Sequence, residues 1–158
     1  LELLFKKLLL RNVFCSLYRE SNMIDVLKTY AENLNTIYAV DQEMGQYQYL
    51  IDVGKKIPEF SENEKIEQNR MYGCMAQVWV IMENQKGKFY FRGDSDAAIV
   101  KGLVSIITEA MSGHTSDEIK KIKHNIVDQL GLGPGLTLRR QVGMMSMIDH
   151  VKKLSGAN

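Results

Sequence analysis

The chain has 158 residues, 45% of them hydrophobic and 25% charged, which is enough for one packed domain and too little for two. Twenty basic and nineteen acidic residues give a formal net charge of +1, so no bulk attraction for a phosphate backbone exists and nucleic-acid binding is disfavoured. Two cysteines exclude a disulfide scaffold, and the absence of a CxxC pair excludes zinc-finger and thioredoxin-type motifs. We therefore expect a reducing, cytoplasmic setting.

Residues 1–22 differ in composition from the rest of the chain. They carry four basic residues against two acidic ones, a net charge of +2, and an apolar run that Lys6 and Lys7 interrupt. That run is shorter than the roughly 20 apolar residues of a membrane-spanning helix, and no small-residue cleavage site follows it. We predict an N-terminal appendage upstream of the natural start, followed by a functional domain over residues 23–158. A short amphipathic helix that docks on a partner or membrane is the alternative.

From Met23 onwards the spacing of apolar residues predicts two helices. The first has a core face at helical spacing, formed by Ile24, Leu27, Tyr30, Ala31, Leu34, Ile37 and Tyr38. The second is predicted from Gln46 to Lys56, and Pro58 prevents its continuation. The polar and charged run from Ser61 to Asn69 predicts a surface loop.

An antiparallel hairpin is predicted next. Residues Gln77 to Met82 (QVWVIM) and Lys88 to Arg92 (KFYFR) are rich in branched and aromatic side chains, as strands are. The intervening Glu83–Gly87 (ENQKG) has the composition of a turn. Trp79, on the first of these strands, is predicted to be a core anchor.

Four helices are predicted after the hairpin. The first begins near Ser95, is the most apolar of the chain, and ends at Gly113 in a left-handed cap. Thr115 with Glu118 predicts a capping box for a short helix to Ile122, and residues 125–130 predict another.

The last helix follows a GLGPG loop, with Thr137 as its predicted N-cap. Its predicted core face contains Leu138, Val142, Met145, Ile148, Val151 and Leu154. The element order predicts an α+β fold, in which the helices pack on one face of a small antiparallel sheet.

Spacings typical of a catalytic triad or a metal site are missing from the sequence. His114, His124 and His150 lie in helical or capping contexts, and we predict that they face solvent or cap helices. Asp94 and Asp96 flank a helix start and are predicted to act as caps. We expect no metal and no cofactor.

Cys74 stands out by its position between a polar loop and the first strand, directly after the flexible Gly73. A thiol there could project towards a partner, or it could be a small buried apolar residue, as most free cysteines are. Local context leaves both interpretations open. Cys15 lies in the appendage, and we treat it as incidental.

Two ordered blocks of sequence resemble a known family. YGCMAQVWVIM, beginning at Tyr72, and RGDSDAAIVKGL, from Arg92 to Leu103, are similar to the signature of the SufE-type sulfur-acceptor proteins of iron–sulfur cluster biogenesis. That signature is Gly-Cys-x-Ser/Ala-Gln-Val-Trp followed by Gly-Asp-Ser-Asp-Ala-x-Ile-Val-Lys-Gly. The flanking segments YLIDVGKKIPEF and LTLRRQVGMMSMI match as well, so the resemblance covers about residues 25–155.

The resemblance implies a SufE/IscU-like fold and a function for Cys74. That residue would receive sulfane sulfur as a persulfide from a cysteine desulfurase, a pyridoxal-phosphate enzyme, stimulate it, and pass the sulfur to an iron–sulfur cluster scaffold complex. The chain would be a sulfurtransferase-like carrier and not a stand-alone enzyme, monomeric or homodimeric, without nucleic-acid or membrane partners. Gly73 would give the loop its mobility. Arg140 aligns with a family arginine and would stabilise the anion, although Arg139 and Leu138 depart from the family's usual Ser and Pro.

Two alternatives stay open at this point. One is a regulatory partner that activates a desulfurase without carrying sulfur. The other is a cluster-assembly scaffold, which needs several thiolate ligands, whereas the matching region contains a single cysteine.

Overall fold

The structure is a computed structural model that describes residues 22–58, 60–123, 125–129 and 136–157. Apart from Asn22, the predicted appendage lies outside the described residues, as do His124 and the GLGPG segment. No helix in the described ranges is long and apolar enough to cross a membrane.

Helix α1 (Met23–Gly54) contains both predicted helices as two arms that meet at Gln42. Gln42 has φ 52 and ψ −143, so the helical backbone is broken there. Asn33 Nδ2 donates a 2.9 Å hydrogen bond to the hydroxyl of Tyr49 across this break. The two arms therefore lie side by side, with their polar cross-link inside the core.

The second arm differs from its predicted bounds, Gln46 to Lys56. It begins after Gln42 and ends at Gly54. Gln46 is fully buried, and its Nε2 donates a 2.9 Å hydrogen bond to the carbonyl of Leu34 on the first arm. Gln46, which was predicted to begin a helix, therefore lies inside the second arm and links it to the first.

Two residues of the predicted core face are exposed instead. Ile24 is 41% and Tyr38 is 37% exposed, because the first arm buries its other apolar residues against α2 and against its own second arm. The remaining five residues of that predicted face are buried: Leu27, Tyr30, Ala31, Leu34 and Ile37.

The sheet has three antiparallel strands in the order β1 (Arg70–Met71), β2 (Val78–Gln85) and β3 (Lys88–Ser95). The predicted hairpin is confirmed, but both strands are longer than expected and the turn is shorter. It consists of Lys86 and Gly87, both with positive φ (54 and 84), the backbone that two-residue hairpin turns require.

Helix α2 (Ala98–Met111) packs on α1 and β3 and is the most apolar helix, as predicted. A Cβ on Gly102 would overlap the carbonyl of Leu50, so glycine lets α1 and α2 approach closely. Gly113 follows this helix with φ +80, which agrees with the predicted left-handed end.

Three further helices complete the helical layer. They are α3 (Ser116–Lys120), α4 (Ile126–Gln129) and α5 (Leu138–Leu154). The capping box of Thr115 and Glu118 is present at the start of α3. Helix α5 packs on α2, so helices cover one face of the sheet and the predicted α+β class is confirmed.

The core face of α5 is rotated from its predicted position. Leu138 is 74% and Val142 is 48% exposed, whereas Met144 and Met147 are buried. Thr137 occupies the N-cap position as predicted, but its side chain makes no capping hydrogen bond.

The opposite face of the sheet is partly covered by the segment predicted as a surface loop. It forms two short 3-10 helices, Glu62–Glu64 and Glu67–Asn69. Trp79 is buried there, with Lys65 Nζ 5.7 Å from its ring centre. Trp79 is therefore an anchor, as predicted, but it lies outside the main core cluster.

Candidate functional site

Cys74 lies in the loop 72–77, which joins β1 to β2. Met71 and Val78 are paired in the sheet, so both ends of the loop are fixed at neighbouring points. Cys74 is a free thiol, half-buried against the hydrophobic core. Its neighbours Tyr72 and Met75 are 64% and 83% exposed. The loop thus presents two apolar side chains to solvent and partly shelters the thiol between them.

The loop rests on one face of α5. Cys74 Sγ lies 3.6 Å from the position that a Cβ would occupy on Gly143. The corresponding position on Gly73 is 3.0 Å from Ser146 Oγ. Gly143 and Ser146 are three residues apart and share a helix face. Gly73 has φ +100, a backbone conformation that favours glycine, so the residue before the thiol is held in a turn that other residues resist.

Asp96 ties the other end of the loop to the sheet instead of capping α2. The N-cap position is Ala97, and Asp96 Oδ1 accepts a 2.9 Å hydrogen bond from the backbone N–H of Gln77. The predicted cap is therefore wrong for Asp96. This bond adds a side-chain link between the two sequence blocks, which also pair with each other in β2 and β3.

Asp94 is also not a cap, because β3 continues to Ser95 and Asp94 is still a strand residue. Its carboxylate is buried and lies 2.9 Å from Lys101 Nζ and 3.2 Å from Lys65 Nζ. Burial by itself raises the pKa of Asp94, but the bonds from Lys101, the Ser95 N–H and Lys65 outweigh it and hold the pKa below its ordinary value. This ion-pair group fixes the end of β3 next to the loop.

Two arginines lie in the first turn of α5, and one of them contacts the loop. Arg139 Nη1 donates to Met75 Sδ at 3.2 Å. The Arg140 guanidinium stacks over the ring of Tyr47 at 4.5 Å, one helical turn before Gly143. Sequence reasoning selected Arg140 and missed the loop contact of Arg139. The only signal for Arg139 was that it stands where the family pattern has a serine.

The described histidines lie away from these contacts. His114 pairs with Phe89 through its backbone at the edge of the sheet, and its side chain is 13% exposed, with Nδ1 3.7 Å from Glu118 Oε2 at the start of α3. Of the two predicted settings, facing solvent or capping a helix, the first is therefore wrong for His114. Burial, and secondarily the charge of Lys153, lower the pKa of His150, which favours its neutral form. Within the described part of the chain, no group of three or more His, Cys, Asp or Glu side chains could hold a metal ion.

A family model for SufE, the Fe-S metabolism associated domain, matches residues 31–155. The chain belongs to the SufE family. The family suggested by the two sequence blocks is thus confirmed. Membership connects this SufE-family chain with sulfur transfer in iron–sulfur metabolism and with a partner of the cysteine desulfurase kind.

Individual relatives agree with this assignment. The chain is 33% identical over 119 residues to an uncharacterized SufE-like protein of Rhizobium etli, covering 72% of this chain and 80% of the relative. It is 35% identical over 118 residues to an uncharacterized SufE-like protein of Rhizobium meliloti, covering 72% and 84%. A SufE-like protein of Synechocystis is 34% identical over 107 residues, covering 68% and 67%.

A solved structure supports the fold. The solution structure of a hypothetical protein from Thermus thermophilus matches with a TM-score of 0.62 and 18% identity. It covers 81% of this chain and 94% of that protein. This likeness concerns the arrangement of helices and strands alone.

Proposed function

We propose that Cys74 of this SufE-family chain accepts sulfane sulfur from a cysteine desulfurase and carries it as a persulfide. The observation that carries the proposal is the placement of a free, half-buried thiol on the loop 72–77 between two exposed residues. Such a thiol can meet a partner's sulfur after a small movement, and it is partly covered when the loop is at rest. A purely structural cysteine would not need a loop with both neighbours exposed.

The transfer is an exchange between sulfur atoms. The Cys74 thiolate attacks the outer sulfur of a persulfide on the desulfurase, forms a new S–S bond, and releases the desulfurase cysteine as a thiolate. The proton on the outer sulfur stays with it, and no net oxidation occurs. The same step, with a thiolate of the cluster scaffold as attacker, returns Cys74 to its original state.

The surface around the loop supports a protein partner. Exposed apolar side chains lie on the loop and at the start of α5, the helix that the loop contacts: Tyr72, Met75, Leu138 and Val142. Arg139 contacts Met75 of the loop, and Arg139 and Arg140 add positive charge to the first turn of α5. An apolar patch of this kind, rimmed by polar groups, is typical of a protein docking surface, and we propose that the desulfurase binds there. Arg140 then stabilises the anionic sulfur during transfer.

The experiment that tests the proposal is intact mass measurement after incubation with a cysteine desulfurase and cysteine. We expect a gain of about 32 Da per transferred sulfur atom, as persulfide formation by exchange requires. Cys74→Ser should show no gain, while Cys15→Ser, the matched control, should gain as the wild type does. An adduct that persists on Cys74→Ser would contradict the proposal.

Measurement of desulfurase turnover distinguishes a sulfur carrier from a regulatory partner that carries no sulfur. A carrier removes sulfur from the desulfurase and renews its cysteine, so Cys74→Ser should bind the enzyme without accelerating multiple turnovers in the presence of reductant. If Cys74→Ser stimulated turnover as strongly as the wild type, the chain would be a non-carrier activator. A cluster scaffold needs several thiolate ligands, and among the described residues no group of three or more His, Cys, Asp or Glu side chains could hold a metal ion.

A further inference from the structure

The Cys74 thiol faces helix α5 at Gly143, where the helix has no side chain. A Cβ built on Gly143 would meet Cys74 Sγ at 3.6 Å, and among the described residues no other atom lies within 4 Å of it, apart from the chain neighbours of Gly143 and the α5 backbone. We propose that Gly143 is a positioning residue that leaves room for the outer sulfur of a Cys74 persulfide. This inference rests on the proposed function, because it concerns the loaded form of the same cysteine.

The distance from Cys74 Sγ to a Cβ on Gly143 is long enough for the thiol form and too short for the persulfide form. An S–S bond is about 2.05 Å long, so a second sulfur atom directed at α5 would lie well inside the 3.6 Å that separates Sγ from a Cβ on Gly143. Non-bonded heavy atoms prefer separations of about 3.5–4.0 Å. An alanine at this position is therefore compatible with the thiol and incompatible with a persulfide in the same place.

The identity of the residue gives a second reason. Gly143 is a buried glycine in the interior of α5 (Leu138–Leu154). Glycine costs a helix interior about 1 kcal/mol relative to alanine, so helix stability alone favours alanine here. In the thiol form a Cβ would make only an ordinary contact. The thiol form therefore gives no reason for glycine at this position, whereas the larger persulfide form does.

Shelter of the outer sulfur has a chemical consequence. A thiol reagent discharges a persulfide by attacking the outer sulfur or the inner one, and either attack needs access along the S–S axis. With the outer sulfur against Gly143, helix α5 covers the end of that axis from which the outer sulfur is attacked. Discharge through the outer sulfur then requires the loop 72–77 to leave α5, which is the same movement that exposes the sulfur to a partner.

The test uses the full chain, loaded chemically and without a desulfurase. Inorganic polysulfide serves as the probe: the Cys74 thiolate takes one sulfur atom from it and leaves a polysulfide shorter by one atom. Dithiothreitol then discharges the persulfide, giving the thiol, hydrogen sulfide and oxidised dithiothreitol, and intact mass follows the loss. The variants are Gly143→Ala and, as a control at an exposed position near the far end of the same helix, Lys153→Ala. Alkylation of the unloaded thiol by iodoacetamide measures access in the thiol form.

We expect Gly143→Ala to lose its persulfide sulfur about fivefold faster than the wild type or more, since overpacking drives the loaded loop off the helix. Its unloaded thiol should be alkylated within about twofold of the wild-type rate, and Lys153→Ala should match the wild type in both assays. Equal persulfide lifetimes in Gly143→Ala and wild type would overturn the inference. So would an equal acceleration of alkylation and discharge, because the methyl group would then displace the loop in both forms. Failure of the proposed function would be seen in a different experiment, as the absence of sulfur transfer from a desulfurase to the wild-type chain.

Discussion

The carboxylate of Asp96 holds the backbone of Gln77, 19 residues earlier, through a 2.9 Å hydrogen bond. Because Gln77 is the last residue of the loop that carries Cys74, this bond fixes one end of the loop next to the end of β3. It adds a side-chain link to the pairing of β2 with β3, which already joins the two sequence blocks that identify the family.

Removal of this acceptor should loosen the loop. Asp96→Ala leaves the Gln77 N–H without its partner, and we expect a loss of about 1 kcal/mol of stability together with faster amide hydrogen exchange in residues 72–77. Asp96→Asn keeps an acceptor oxygen and is the matched control. Unchanged exchange in Asp96→Ala, measured by mass spectrometry of loop peptides, would show that the bond does not restrain the loop.

The stacking of Arg140 on Tyr47 should matter for sulfur transfer only through the arginine. A cation–π contact contributes about 0.5–1 kcal/mol, so Tyr47→Leu should slow transfer to Cys74 about two- to fivefold, while Tyr47→Phe should retain the wild-type rate. In an Arg140→Gln background, Tyr47→Leu should have no further effect. Additive losses in the double variant would assign the effect of Tyr47 to packing and not to placement of the guanidinium.

The same glycine-to-alanine substitution in α2 and in α5 should have very different effects on the free energy of unfolding. Gly102→Ala places a methyl group on the carbonyl of Leu50, and we expect a loss of about 3 kcal/mol as α1 and α2 are forced apart. Gly143→Ala meets only an ordinary contact in the thiol form and should be neutral or more stable by up to about 1 kcal/mol. Urea unfolding of both reduced variants measures the difference, and similar unfolding midpoints would contradict it.

Glu109 gives a pH dependence with a defined sign. Burial raises the pKa of its carboxyl, and the hydrogen bond from the Tyr30 hydroxyl, 2.5 Å long, only partly opposes the rise. A raised pKa in the folded state means that protonation favours folding, so this contribution is present below the ordinary Glu value of 4.5 and is lost as pH rises through the folded-state value.

Glu109→Gln removes the charge and keeps an acceptor for Tyr30. We expect the variant to be more stable than the wild type at pH 7, and the difference in thermal midpoint to shrink as pH falls towards 4.5. A difference that stayed constant between pH 7 and pH 4.5 would show that titration of Glu109 is not coupled to folding.

The spacing of apolar residues and the local composition predicted those parts of the fold that depend on contacts between residues close in sequence. The hairpin, the apolar helix α2 and the capping box at Thr115 all follow from side chains whose partners are close in sequence or repeat regularly. The reversal at Gln42 did not follow, because its positive φ occurs without glycine and is imposed by contacts between the two arms. The same holds for Lys86 in the hairpin turn.

Long-range partners account for the errors at the site. The roles of Cys74 and Gly73 rest on local features of the sequence and stay predictions, although Gly73 has the positive φ that its predicted freedom requires. Sequence reasoning took Asp94 and Asp96 for caps, because their actual partners, two lysines and a distant amide, are brought together only by the folded sheet. The rotated face of α5 has a related cause, since Gly143 and Ser146 meet the loop 72–77, a long-range contact that the spacing of apolar residues does not show.

The pairing of Met71 with Val78 sets a limit on how far the thiol can travel. An extended chain spans at most about 3.3–3.6 Å per residue, so the three steps from Met71 to Cys74 allow an excursion of about 10 Å while the strands remain paired. A partner whose reactive sulfur lies deeper than that below its own surface could be reached only if β1 separated from β2, or if the partner extended a segment of its own. The depth of a compatible partner site is therefore bounded by two residues of this sheet.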